Sequence, residues 1–174
     1  MRPLLVAAVL GAWLSSGGSP EKNVAEKISP ATRKVENRGV ELLCTIPGDA
    51  KAGSAIGLKL EVTNRRKNEI QFFVSRFEDY RFIVSDGGGK QVPLTRFGEA
   101  FKRSEDGRRV PIIVPPGETR ETIVNLGLIF DLSMPGEYRL SVSLRYREGF
   151  EPDTALEIKA IPFTVLRTPP FRRI

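Results

Sequence analysis

The sequence predicts an all-β fold, an antiparallel two-sheet sandwich of roughly seven or eight strands. From Val40 onward, apolar residues recur at every second position, the period of a strand with one buried face. Clusters of Gly, Pro, Asn and Asp punctuate these runs at short, regular intervals, and no stretch beyond Val40 sustains the 3.6-residue period of an amphipathic helix.

In order, "VELLCTI" aligns Val40, Leu42, Cys44 and Ile46, and "PGDAKAG" turns the chain. "AIGLKLEVTN" sets Ile56, Leu58, Leu60 and Val62 against Gly57, Lys59, Glu61 and Thr63. Next come "IQFFVS" with Ile70, Phe72 and Val74, and "YRFIVSD" with Tyr80, Phe82 and Val84, closed by the Gly87-Gly88-Gly89 turn. "QVPLT" reads as a short strand, placed at a sheet edge by Pro93. "VPIIV" leads through the turn "PPGET" into "TIVNLGLIF", a strand with Thr122, Val124, Leu126, Leu128 and Phe130 on one face. "SMPGEYRLSVSLRY" follows, with Tyr138, Leu140, Val142, Leu144 and Tyr146 on one side and Arg139, Ser141, Ser143 and Arg145 on the other. In "LEIKAIPFTVL" the parity changes between Ala160 and Ile161, which one extra residue in a β-bulge would produce.

Flanking segments complete the organisation. Residues 1–19 have the layout of a secretory signal peptide: Arg2, an apolar run from Leu4 to Leu14, then small residues. The run is too short for about 30 Å of hydrocarbon, so the mature chain is expected to carry no transmembrane span. Residues 20–38 read as a charged linker with at most one short helical turn, 39–167 as the sandwich domain and 168–174 as a basic tail.

Composition limits the chemistry. The chain has no histidine, which removes the commonest general base and zinc ligand. The single cysteine, Cys44, shares the buried parity of its strand and reads as a core residue. Glu78-Asp79 and Glu105-Asp106 lack the spacing of a calcium loop, and no Gly-Lys-Ser/Thr follows the glycine run. Catalytic, cofactor-binding and metal-binding residues are therefore expected to number none. The formal charge of +6 is spread along strands that alternate with apolar residues, so nucleic acid is not the expected partner.

At Pro135-Gly136-Glu137-Tyr138-Arg139-Leu140 the chain resembles the entry to the penultimate strand of immunoglobulin-like domains, where a tyrosine hydroxyl bonds back to nearby backbone. That resemblance implies structural roles for Gly136 and Tyr138. Leu140 stands where antibody domains have their second cysteine, and the only tryptophan, Trp13, lies in the signal, so the antibody branch is excluded. The order of parts over roughly 40–165 is similar to the intracellular proteinase inhibitor family of Bacillus: the strand end Val62-Thr63-Asn64, the turn Pro116-Gly117-Glu118 and the Pro-Gly-x-Tyr turn. It implies the fold, and proteinase inhibition as one expected activity; no inhibitory residue of that family maps onto a defined loop here.

The alternation fails in "RFGEAFKRSEDGRR", residues 96–109, read as a long loop with room for a helical turn. Long loops on rigid sandwiches carry binding, which makes Arg96, Phe97, Phe101, Lys102, Arg103, Arg108 and Arg109 the candidate partner-binding residues. Phe73 and Ile83, on the polar parity of their strands, form a second candidate patch. The expected function is a non-catalytic, secreted or periplasmic, envelope-associated module that binds a protein partner without cofactor. The alternatives are proteinase inhibition and binding of anionic polysaccharide or nucleic acid through the basic loop.

Overall fold

The computed structural model describes residues 29–73, 80–103, 111–149 and 154–168. In chain order the elements are β1 (Ala31–Asn37), β2 (Val40–Ile46), β3 (Gly57–Asn64), β4 (Ile70–Phe73), β5 (Tyr80–Asp86), α1 (Arg96–Arg103), β6 (Pro111–Val114), β7 (Thr119–Asn125), α2 (Leu126–Ile129), β8 (Gly136–Arg147) and β9 (Thr154–Val165). One antiparallel sheet has the order β1-β2-β3-β7, and the other contains β4, β5, β6, β8 and β9. In the second sheet β9 takes one edge of β8, while β5 and β4 lie end to end along the other. β6 then pairs with β4. The chain is thus an all-β sandwich, as the alternation predicts.

The predicted parity is the observed core. Val40, Leu42, Cys44 and Ile46 are wholly buried, as are Ile56, Leu58 and Leu60 facing the same interior. From the other sheet come Tyr138, Leu140, Val142, Leu144 and Tyr146, with Leu156, Ile158, Ile161, Phe163 and Val165 beside them. Between Leu140 and Val142 the pairing to β9 skips from Ile161 to Ile158, which is the predicted bulge. Ala160 sits in it at φ 55°, and its N–H donates to Ser141 Oγ at 3.2 Å. Without that extra residue, Phe163 and Val165 would face solvent.

Three sequence readings need correction. Residues 31–37 are not linker but strand β1, turned back onto β2 by Arg38 (φ 50°) and Gly39 (φ 75°), the paired left-handed residues of a tight hairpin. Its seven residues include only Ala31 and Val35 as apolar contacts, too few to register as alternation. The run to Phe130 is not one strand: β7 stops at Asn125, whose Oδ1 accepts from Gly127 N and Ile56 N, each at 3.1 Å, and so caps the single turn α2. "QVPLT" forms no strand, only isolated bridges from Gln91 to Ser85 and Leu94 to Phe130.

Two of the sequence motifs acquire a physical role. Tyr138 donates its hydroxyl to Met134 O at 2.7 Å and stacks on Phe163, which fixes the entry to β8. Asn64 is the one buried polar side chain among the described residues. Its amide nitrogen donates to Asn68 O at 2.8 Å and Val114 O at 2.9 Å, and its Oδ1 accepts from Arg66 N at 2.9 Å. Its backbone N–H donates to Glu118 O and its carbonyl accepts from Gly117 N. Gly117, at φ 77°, follows Pro116 in the turn closed by Glu118 N to Pro115 O, a proline-glycine pairing suited to a type II turn. One side chain therefore ties the end of β3 to the other sheet through Val114.

Replacing Asn64 tests this tie. Asn64→Ala leaves the Val114 carbonyl unpaired in the interior and removes two part-buried bonds, and is expected to cost about 2–4 kcal/mol of stability. Asn64→Asp is expected to cost more, because a buried carboxylate oxygen then faces the Asn68 and Val114 carbonyls where an amide donor stood. Urea unfolding midpoints measure both.

Candidate functional site

Helix α1 begins where Thr95 supplies a cap: its Oγ1 accepts from Gly98 N at 3.0 Å. Glu99 in the first turn and Lys102 and Arg103 in the last suit the helix dipole. The segment read as loop is helical over 96–103 because cap, dipole and tertiary docking act together, none of which alternation reports.

Docking is on α2. Thr95 N donates to Ile129 O at 2.9 Å, Asp131 N donates to Pro93 O at 3.0 Å, and Thr95 Oγ1 donates to Leu128 O. Gly98 is buried against Ile129, where a Cβ would overlap the Ile129 carbonyl. Gly127 makes an equally close approach on the other side, with Ser54 O only 2.6 Å from where its Cβ would lie. The two glycines let three backbone segments stack without side chains between them.

This arrangement holds Phe97 and Phe101 one helical turn apart, their rings stacked 6.3 Å between centroids. They form one wall of a cleft of about 340 Å³. Ile123 on β7 and Leu128 on α2 face them, with Tyr80, Phe82 and Val124 beneath. Phe97, Ile123 and Leu128 are 55%, 69% and 52% exposed, although each is large and apolar. β7 is the outermost strand of its sheet, with no strand partner on its other side among the described residues. Four consecutive β7 residues, Thr122 to Asn125, line the cleft, so it runs along the strand edge itself.

The candidate residues from the sequence do not act together. Phe97 and Phe101 meet in the cleft; Lys102 points elsewhere, into a hollow with Arg81 and Arg145. Arg103 Nε donates to Glu99 O on its own helix at 3.2 Å, and Arg96 is exposed at the helix start. Arg108 and Arg109 lie outside the described residues, as do Glu78-Asp79, Glu105-Asp106, the signal segment and residues 169–174. Ile83 is half-buried on the outer sheet face; the side chain of Phe73 is outside the described set. Sequence reading missed Ile123 and Leu128. The available signal was "TIVN", where Ile123 and Val124 are adjacent and both apolar, so one must face outward.

Burial sets the titration of the thiol and of two phenols. Burial pushes the Cys44 thiol up to about 12. Tyr80, packed between Phe72 and Phe82, has a buried hydroxyl with no hydrogen-bond partner among the described residues, and burial raises its pKa. Burial, then the charges of Asp131 and Asp86, raise Tyr138 as well.

No protein-family model matches the chain, and no curated protein matches it significantly. Among solved structures, the C-terminal domain of wzt aligns with a TM-score of 0.45 and 11% identity, over 83% of this chain and 83% of that one. The Northeast Structural Genomics Consortium target SoR45 aligns at 0.41 and 14% identity, over 84% of this chain and 89% of the other.

Two measurements check this description. Cys44 in the native protein is expected to react with a thiol reagent at neutral pH only as fast as the protein unfolds, and at once in denaturant. Gly98→Ala is expected to destabilise by about 1–3 kcal/mol. Hydrogen exchange should then accelerate in α1 and residues 126–131 but not in β8.

Proposed function

We propose that the chain is an exported, non-catalytic module that binds a protein partner along the edge of β7, receiving an extended segment whose apolar side chains enter the cleft between α1 and α2. One observation carries the reading: three of the five large hydrophobic side chains exposed among the described residues, Phe97, Ile123 and Leu128, converge on one cleft. Scattered exposed apolar residues are ordinary on a soluble surface, whereas converging ones mark a docking site. The bordering strand edge offers backbone hydrogen bonds to an added strand, and the cleft gives alternate side chains somewhere to go. Export rests on the signal-like residues 1–19, and the non-catalytic part on the missing histidine and the buried thiol.

Proteinase inhibition rests on the resemblance of turns alone. Those turns serve the sandwich itself, Asn64 by joining strands and Tyr138 by pinning β8. Micromolar protein without effect on a broad protease panel would remove that reading.

The cleft is tested with a displayed library of extended peptides. Selected peptides are expected to alternate apolar and polar residues, and to lose at least about tenfold in affinity on Phe97→Ala and on Ile123→Lys. A selection that returns no binder, or binders indifferent to both changes, would overturn the proposal.

A further inference from the structure

The two solvent faces of the sandwich carry their charge differently. On the β1-β2-β3-β7 sheet most cations are matched locally, Arg33 on β1 being the exception among the described residues. Lys34 and Arg65 both reach Glu41 at 3.1 Å, Lys59 lies 2.9 Å from Glu121, and Arg120 lies 2.9 Å from Glu118. On the outer face of β5, β8 and β9, Arg81, Arg139 and Arg145 have no ion-pair partner among the described residues. Of the carboxylates on this face, Glu157 is 3.6 Å from Lys159 and shares its charge there, and Glu137 lies beside Arg139 at the far end of β8, outside the hollow around Arg81 and Arg145.

The same face is hollow. Ser141, Ser143 and Ala155 supply small side chains to the middle of the sheet, while Arg81, Ile83, Arg145, Glu157 and Lys159 stand around them. Arg81 pairs across from Ser143, and Ser143 from Glu157; Arg145 pairs across from Ala155. Arg81 and Arg145 are thus diagonal neighbours, about 7–8 Å apart at the backbone, with only a serine and an alanine opposite them. Two hollows of about 430 Å³ each share Arg81, Ile83 and Arg145, and the second extends to Gln91 and Lys102. Together they make a trough from β9 across β8 and β5 to α1.

We propose that this trough binds an acidic polysaccharide, at a surface separate from the β7 cleft. Unmatched guanidinium groups around a concavity attract anionic groups and hold carboxylates or sulfates by paired N–H donors. The floor suits a hydroxyl-rich chain. Ser141 Oγ already accepts from Ala160 N, so its own proton is left to donate, and Ser143 and Gln91 add further polar groups. Single-stranded nucleic acid fits less well because its bases need exposed aromatic faces. The rings that touch the trough, Phe82 and Phe130, are only 2% and 1% exposed.

The test compares binding of oligogalacturonate, heparin, neutral dextran and single-stranded oligothymidylate to the exported chain and two variants. One is Arg81→Glu with Arg145→Glu. The other, Arg33→Glu with Lys67→Glu, makes the same charge change at exposed positions away from the trough. Thermal unfolding checks that both remain folded. The expected result is salt-dependent binding of at least one acidic glycan, not dextran, weakened about tenfold or more by the trough variant and little by the other. Equal loss in both variants would reduce the binding to net charge and overturn the proposal. So would absence of binding to either glycan, or tighter trough-dependent binding of the oligonucleotide. Loss of peptide binding on Phe97→Ala with glycan binding intact would separate this surface from the cleft.

Discussion

The buried amide of Asn64 is the interaction on which the sandwich most depends for its shape. Apolar packing between the sheets supplies most of the stability, but it is non-directional and would tolerate many relative placements. Asn64 is directional: its two donors and one acceptor are all used, and they reach backbone in β6 and in the turn before β4. A fully satisfied polar group in an apolar interior rigidifies the arrangement that satisfies it and penalises every other. The corner at Tyr138 does similar work for the second sheet, with one bond in place of three.

The strands were legible in the sequence to the extent that burial is one-sided. β2, β3, β5, β8 and β9 alternate cleanly because each has one face in the core, and even the bulge at Ala160 announces itself as a slip in parity. β1 was illegible because an edge strand lying over the margin of the core needs few apolar residues. Its charges, including Lys34 paired to Glu41, guard the edge rather than fill the interior. The end of β7 was misread because Leu126 and Phe130 keep strand parity by coincidence. Four residues apart, they also suit one turn of helix, and the Asn125 cap decides between the two.

The candidate site was half legible. Failure of alternation at residues 96–109 pointed to Phe97 and Phe101, which do share a surface. Charge in the same segment suggested one binding loop, but a helix sends neighbours to different sides, and Lys102 leaves the two phenylalanines for the sheet face. The partners of Phe97 come from residues about thirty positions further along, brought close by Gly98 and Gly127, where the absence of a side chain is what matters. The trough was less legible still. Arg139, Ser141, Ser143 and Arg145 read as an ordinary polar face until the register sets Arg81 beside them, with no ion-pair partner for the three arginines among the described residues.

β8 pairs with β4, β5 and β9, yet it begins only at Gly136. The second sheet therefore has no centre until the chain has been made past Gly136. Antiparallel pairing across such long sequence separations is slow, in the millisecond to second range. At ribosomal speeds of about 5–20 residues per second, the earlier strands wait several seconds with their edges open. During that interval the edges of β4 and β5 that β8 will later cover stay unpaired, so the fold that encloses them cannot be what protects them.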